Sequence, residues 1–461
     1  MIVSANEADL NRRPDVLERC YFNGQHYGLQ LSDFTGAVPE AAKYFGVFRP
    51  TVLTSTPVVV PTKWAGLTVE NVGNGDGNST PPWSFGIEYG IHRLLGFGTY
   101  WPEIETSDGV FDWSKMDAAV SQAVANGKDV MWNVAYTPWF HSSNLEAHRS
   151  AGYAATKGWA AAPSDLTATM QVYPALNSAK WSRFARAAVR RYVGRIKYYV
   201  MWNEPNYRMW NSSIQPQAPV FNWKDTSDTG PTDLTTPRTS SLGDVQRYDQ
   251  HVRLLADLYG IVQEEDPAAI VLGPDFYGEA GSQATGGKQS GRDAFANWLA
   301  SGGANYCHGY AWHGYMDEGD GDERGNIDGV SRRLVPVLQS LEAARVAAGA
   351  PAKPWYNTET GHNVLEHMPM EDQRRWVGRH MIIAAALGWK SWVMYVWDSQ
   401  NPATTQMSLW APATIANPGV RAVAGAFSQF AALLQGSTIT YATILSDGRV
   451  CATINGTAYV V

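Results

Sequence analysis

The chain has 461 residues, 44% of them apolar and 17% charged, enough for one large α/β barrel of about 250 residues plus appended segments, or for two or three smaller domains. No apolar run approaches the roughly 18 to 20 residues that a membrane-spanning helix needs. A formal charge of −7 argues against a phosphate-binding surface, and so against nucleic acid as a partner.

Cys20, Cys307 and Cys451 are odd in number and far apart, so they suit neither a disulfide framework nor a zinc ligand set and are expected to be ordinary thiols. Met1 to Arg13 lacks the basic-then-apolar pattern of a secretory signal. Either the protein is not exported by that route or a signal has been removed, so localisation and oligomeric state stay open. The unusual feature of the composition is 19 tryptophans and 12% aromatics. Indole faces bury large areas and also stack on the apolar faces of sugar rings.

Residues 1–60 form a mixed leader with a turn at Asn23-Gly24. From Trp64 to Trp397 short apolar runs alternate with longer helical patterns, the rhythm of repeated βα units. Eight strands are expected, centred on Gly66–Glu70, Gly90–Leu95, Asp129–Val134, Lys197–Trp202, Ile270–Gly273, Gly309–Trp312, Trp355–Thr358 and Ser391–Trp397. Between them, Asp112 or Ser114 caps a helix carrying Met116, Ala119, Val120, Ala123 and Val124 before Gly127. A second helix runs from Ser178 through Trp181, Phe184, Ala188 and Tyr192 to Gly194. A third places Val245, Tyr248, Val252, Leu255, Leu258 and Ile261 at helical spacing.

Strand, helix, strand, repeated, gives a parallel sheet, and eight repeats allow it to close. The rival, an open doubly wound sheet, usually carries a glycine-rich phosphate turn after its first strand. Gly73-Asn-Gly-Asp-Gly77 lacks that spacing, and Gly281 to Gln289 has no Ser or Thr after Lys288 to complete a P-loop. From Gly436 the tail reads as three short strands joined at Asp447-Gly448 and Asn455-Gly456. A meander that small needs a partner, either the barrel or leader strands such as Thr51 to Val60. The expected architecture is an α/β (β/α)8 TIM barrel over 61–435, with an N-terminal extension over 1–60 and a small C-terminal β meander over 436–461.

In such a barrel the working groups sit where strands end and βα loops begin. The sharpest string is Tyr198-Tyr199-Val200-Met201-Trp202-Asn203-Glu204-Pro205, an apolar strand running into Asn-Glu and stopped by proline. A second carboxylate, Glu359, follows the strand Trp355-Tyr356-Asn357-Thr358 in the same way. Two carboxylates across one barrel mouth suit glycosidic cleavage: one protonates the leaving oxygen and the other attacks or activates water. A carboxyl walled in by aromatics such as Trp202 has its charged form desolvated and so stays a proton donor, while its partner must remain ionised.

Trp-Asn-Glu-Pro on a fourth strand and Asn-Thr-Glu-Thr on a seventh resemble glycoside hydrolase clan A, and the resemblance covers most of Trp64 to Trp397. It implies Glu204 as general acid/base, Glu359 as nucleophile, and a bond from Asn203 to the sugar 2-hydroxyl. Residue by residue, Arg93 in Ile-His-Arg resembles the second-strand arginine that orients the nucleophile. His313 and Tyr315 in Trp-His-Gly-Tyr resemble the sixth-strand pair, and Trp397 resembles the eighth-strand sugar platform. With Tyr136-Thr-Pro-Trp139 after strand three, the surroundings look most like family thirty-nine, which includes β-xylosidases, α-L-iduronidases and exopolysaccharide hydrolases. The resemblance implies an oligo- or polysaccharide substrate and no cofactor.

Each residue has a plainer reading as well: Arg93 as a generic barrel ion pair, His313 as a satisfied core histidine, Tyr315 and Trp397 as packing. His92 and His308 are read as structural. A long segment from Asn206 to Leu242 carries Tyr207, Trp210, Phe221 and Trp223, which either wall a cleft with sugar subsites or pack among themselves. The acidic run from Asp317 to Asp328 lacks the spacing of a calcium loop. No His-x-His or HExxH string supports a metal-dependent hydrolase, and GxSxG is absent. The rival from another class is a carbohydrate-binding pseudoenzyme on the same barrel.

Overall fold

The computed structural model describes residues 20–22, 25–27, 51–70, 81–96, 98–141, 178–205, 245–277, 291–315, 327–361, 370–398, 408–411, 419–445 and 448–461. Eight parallel strands close a barrel in chain order: β1 (Ala65–Val69), β2 (Ile91–Leu94), β3 (Asp129–Val134), β4 (Ile196–Met201), β5 (Ile270–Tyr277), β6 (Gly309–His313), β7 (Trp355–Thr360) and β8 (Trp392–Met394). β8 returns to β1 through Trp392, Val393 and Met394 beside Ala65, Gly66 and Leu67, which completes the ring. The strands are buried along almost their whole length, which is why they read as near-continuous apolar runs rather than as an alternation.

Helices fill the connections: α1 (Ser114–Ala125), α2 (Ser178–Arg191), α3 (Val245–Glu265), α4 (Gly291–Ala300), α5 (Ile327–Ala347), α6 (Met370–Ala386) and, after β8, α7 (Ala422–Leu434). At the start of α1, Trp113 takes the cap position and the Asp112 carboxylate accepts the N–H of Ser114 at 2.9 Å, so Asp112 supplies the side-chain acceptor. Beyond the end of α1 Gly127 turns left-handed, at φ 69°, a conformation without steric cost for glycine. α2 buries Trp181, Phe184 and Ala188, and the indole of Trp181 donates to the Leu254 carbonyl of α3 at 3.1 Å.

Two apolar regions follow from the alternation of side chains along a strand. The larger lies between the barrel and its helices. The smaller fills the barrel interior with Ile91, Met131, Tyr198, Val200, Leu272, Ala311, Tyr356 and Val393. Gly66 belongs to this inner layer, since a Cβ built on it would lie 2.9 Å from Val393 Cγ2 and 3.0 Å from Ile91 Cβ. The absent side chain there leaves room for its bulky neighbours.

The C-terminal strands β9 (Thr438–Ile444), β10 (Val450–Ile454) and β11 (Thr457–Val460) form an antiparallel sheet lying against α6. Thr51–Thr54 and Val58–Val59 add to it by pairing with β9. Asn455 and Gly456, with φ of 49° and 80°, make the tight turn between β10 and β11. Asn23, Gly24, Asp447, the Gly73–Gly77 and Gly281–Gln289 runs, and the stretches 206–244 and 317–326 lie outside the described residues. Cys307 and Cys451 are buried thiols. Among the described residues no helix is long and apolar enough to cross a membrane.

Candidate active site

One step of two residues up from the inner apolar layer, the same strands turn polar side chains inward. Ile91 is followed by Arg93, Met131 by Asn133, Ala311 by His313 and Tyr356 by Thr358, with Thr68 joining from β1. Register shifts adjust this layer. β5 shifts between Pro274 and Phe276, and Asp275 there is bonded within the layer. β7 shifts so that His313 pairs with Glu359, and Thr358 and Glu359 both bond into the site.

These groups form one connected network. Arg93 Nη1 donates to Glu359 Oε2 at 2.5 Å and to Thr68 Oγ1 at 3.2 Å. Its Nε donates to Asn133 Oδ1 at 2.9 Å and its Nη2 to Asn203 Oδ1 at 3.1 Å. The Tyr315 hydroxyl donates to the other oxygen of Glu359, Oε1, at 2.7 Å. His313 Nδ1 lies 2.9 Å from Glu204 Oε1 and 3.7 Å from Glu359 Oε1. An oxygen of Glu204 and one of Glu359 come within 4.8 Å of each other. A cation would also suit that spacing, but His313 takes the place itself, with Nδ1 toward both carboxylates and Nε2 toward Asp275.

Asp275, not singled out from the sequence, is the hub beneath them. Its Oδ2 accepts from Asn133 Nδ2 at 2.8 Å and stands 3.0 Å from His313 Nε2 and 3.8 Å from Arg93 Nη2. Its Oδ1 accepts the Thr358 hydroxyl, and its backbone carbonyl accepts the Glu204 N–H at 3.2 Å. Arg93, Asp275 and His313 are fully buried, and Glu204 and Glu359 nearly so.

Burial alone would strip the proton from His313, but the charges of Asp275 and Glu359, with the contacts to Asp275 and Glu204, outweigh it and lift the imidazole to about 10. Burial would lift Asp275, yet the charge of His313 and its contact, then Arg93 and Thr358, hold that carboxyl below its ordinary range. Tyr315 is pushed well up by burial and then by Glu359 and Glu204, so it remains a proton-bearing donor.

Backbone strain gathers at the same place. Tyr136, Trp202, Glu204 and Asp275 all have positive φ, of 68°, 67°, 49° and 61°, at about 1–3 kcal/mol each. Such costs persist only where the surrounding structure holds the backbone in place.

The structure therefore brings together Glu204, Glu359, Asn203, Arg93, His313 and Tyr315. Trp397 follows β8, and its backbone N–H donates to the Thr68 carbonyl at 2.9 Å. It is fully buried, with the Phe85 ring centroid 5.8 Å away. Trp139 opens the short turn Trp139–His141 after β3, and Trp210 lies outside the described residues. Sequence reasoning missed Asp275, Asn133, Thr358 and Thr68. It also missed Glu70, just beyond β1, whose Oε1 accepts the Tyr395 hydroxyl at 2.6 Å. Strand alternation marks Asn133 and Thr358 as inward-facing, without showing that they meet. Asp275 had no such signal, because Pro274 interrupts the pattern.

No family model matches the chain, and no curated protein matches it. Solved structures do. A family 39 glycoside hydrolase from Bacteroides cellulosilyticus WH2 superposes with a TM-score of 0.55 at 14% identity, over 87% of this chain and 69% of that one. The fold is one that known glycoside hydrolases use. A glucosidase from Croceicoccus marinus aligns at a TM-score of 0.50 and 11% identity, over 87% of this chain and 74% of its own. A 4-O-α-L-rhamnosyl-β-D-glucuronidase from Fusarium oxysporum 12S gives 0.50 and 13%, over 89% and 78%.

Proposed function

We propose that this chain is a retaining glycoside hydrolase of the clan A type, nearest to family thirty-nine, that cleaves O-glycosidic bonds of an oligo- or polysaccharide. The observation that carries the reading is the pair Glu204 and Glu359, with oxygens within 4.8 Å at the ends of β4 and β7. Retaining sites hold their carboxyl groups about 5–5.5 Å apart, whereas inverting sites leave room for a water at about 6.5–9.5 Å. The shared fold supports the same reading.

Glu359 attacks the anomeric carbon while Glu204 gives its proton to the departing oxygen. The glycosyl-enzyme ester is then opened by water, whose proton returns to Glu204. Arg93 and Tyr315 hold one oxygen of Glu359 each, which fixes the plane of the nucleophile. Arg93 also engages Asn203 Oδ1, so the amide N–H₂ is the face that Asn203 offers to a sugar 2-hydroxyl. Trp397, beside the exposed ring of Phe85, is proposed as a sugar contact, and the same role is proposed for Trp139 and Trp210 from the sequence alone.

The test is a screen of aryl glycosides and glycans with product stereochemistry followed by NMR. Turnover with retention, lost in Glu359→Ala, is expected. Inverted products would overturn the mechanism. Binding without turnover across a broad panel would favour a carbohydrate-binding pseudoenzyme instead.

A further inference from the structure

We propose that Asp275 is a positioning residue for the acid/base: it is the fixed counter-ion that keeps His313 an imidazolium, and His313 in turn holds Glu204 by Oε1 and stabilises its carboxylate as the proton passes to the leaving group. The part of this that concerns turnover rests on the glycosidase reading. The part that concerns His313 does not.

The bonding of Asp275 sets the problem. It accepts from Asn133 and Thr358 and, through its backbone, from Glu204. None of those neutral donors requires a full negative charge, and an amide oxygen would serve most of them. What requires charge is the approach of Oδ2 to His313 Nε2 at 3.0 Å and to Arg93 Nη2 at 3.8 Å. The His313 contact lies off the line of a straight hydrogen bond, so its attraction is chiefly coulombic. The groups facing His313 are Glu204 and Glu359 on the Nδ1 side, Asp275 on the Nε2 side, and the Tyr315 ring with its centroid at 6.4 Å.

A charge count over the reaction gives the arrangement its purpose. With Glu204 protonated, Arg93 and His313 balance Asp275 and Glu359, and the buried layer is neutral. When the glycosyl-enzyme forms, Glu359 becomes an uncharged ester and Glu204 becomes a carboxylate. The layer is again neutral. Uncompensated charge in a buried site costs several kcal/mol, so a layer that stays neutral at both stages avoids that penalty on either side of the first step. Without Asp275 the same layer carries one excess positive charge throughout, and loss of the His313 proton is the simplest relief. The Glu204 carboxylate then loses the cation that stabilises it as its proton departs.

The test uses the full chain labelled with ¹⁵N-histidine, the His313 signals being identified by their loss in His313→Asn. In the wild type, imidazolium shifts are expected for His313 from about pH 6 to about pH 8.5, where an ordinary histidine is neutral over most of the range. In Asp275→Asn the same signals should titrate to the neutral form within that range. Kinetically, Asp275→Asn should lower kcat/KM on alkyl glycosides by about 10²-fold. Dinitrophenyl glycosides, whose leaving group needs no proton, should be largely spared.

A neutral His313 in the wild type at pH 7 would overturn the proposal, and so would an unchanged imidazolium in Asp275→Asn or a loss of activity equal for all leaving groups. The wild-type spectrum decides the first point even if the variant does not fold. Absence of any turnover by the wild type would sink the glycosidase reading and leave the His313 assignment to the spectra.

Discussion

Arg93 on β2 reaches across the barrel mouth to Glu359 on β7 at 2.5 Å, with the guanidinium fully buried and its other donors spent on Asn133, Thr68 and Asn203. Its planar fork ties four strands to one nucleophile, which a lysine's single point charge cannot do. Arg93→Ala leaves a buried carboxylate uncompensated and should cost about 3–5 kcal/mol of stability in urea unfolding. Arg93→Lys keeps a charge but frees the plane of Glu359. It should lower kcat/KM by about 10²-fold with a smaller loss of stability, read as slower trapping by a 2-fluoroglycoside. Trapping at the wild-type rate would show that the fork has no orienting role.

The two glutamates differ in role, and leaving groups separate them. Glu204→Ala removes the proton donor, so alkyl glycosides should lose about 10²–10⁴-fold in kcat while dinitrophenyl glycosides still form the glycosyl-enzyme. Azide should then restore turnover and give a glycosyl azide of retained configuration. Glu359→Ala should fail on both substrate types, and azide should give the inverted product. The opposite assignment of azide stereochemistry would exchange the roles.

Tyr315 tests the deglycosylation step. Its hydroxyl donates to Glu359 Oε1 at 2.7 Å, and that oxygen regains charge as the ester opens. A hydrogen bond to a charged group is worth about 1.5–3 kcal/mol, so Tyr315→Phe should lower kcat by about 10- to 100-fold and leave the melting temperature close to wild type. A burst of aglycone followed by slow turnover is the signature expected. Equal slowing of trapping and turnover would place its effect before the ester instead.

Much of this architecture is legible in the sequence where local and global signals agree. β3 and β6 stand where their apolar runs lie, and Glu204 is marked by a strand that stops at Asn203-Glu204-Pro205. The polar layer is harder, because Thr68, Asn133 and Thr358 look like ordinary strand residues until the ring closes and brings their inward faces together. Asp275 is hidden for a different reason. Proline usually ends a strand, so Gly273-Pro274 suggests an early stop, whereas β5 continues to Tyr277 with a register shift at that point. Trp397 is expected from the resemblance as a sugar platform, and its ring is buried beside Phe85.

Three other buried histidines, His92, His251 and His380, make the pH dependence of stability a separate test. His251 accepts the Trp298 indole N–H on Nδ1 at 3.1 Å and faces the Met201 carbonyl through Nε2 at 3.3 Å. His380 repeats the arrangement with Trp392 at 2.7 Å and the Gly314 carbonyl at 3.0 Å. An indole N–H can only donate, so both rings are neutral with the proton on Nε2. Burial pushes each of them down to about 4, and His92 to about 3. In the unfolded chain all three take up protons near 6.5, so the stability they contribute is present above that value and is lost as pH falls from about 6.5 toward 4. His313, raised to about 10, has the opposite sign: its contribution is full below about 6.5 and lost as pH rises toward 10. Between about pH 6.5 and pH 4 the neutral histidines therefore lower stability as acid is added, and carboxyls held low, such as Asp275, add their loss further down. His251→Gln keeps a donor and an acceptor in similar places but removes one titration, and one such group contributes at most about 1.4 kcal/mol per pH unit. Urea unfolding at pH 7 and pH 5 should show a fall in stability smaller in His251→Gln than in wild type by about 1–2 kcal/mol. An identical fall in the two proteins would mean that His251 is already protonated in the folded state.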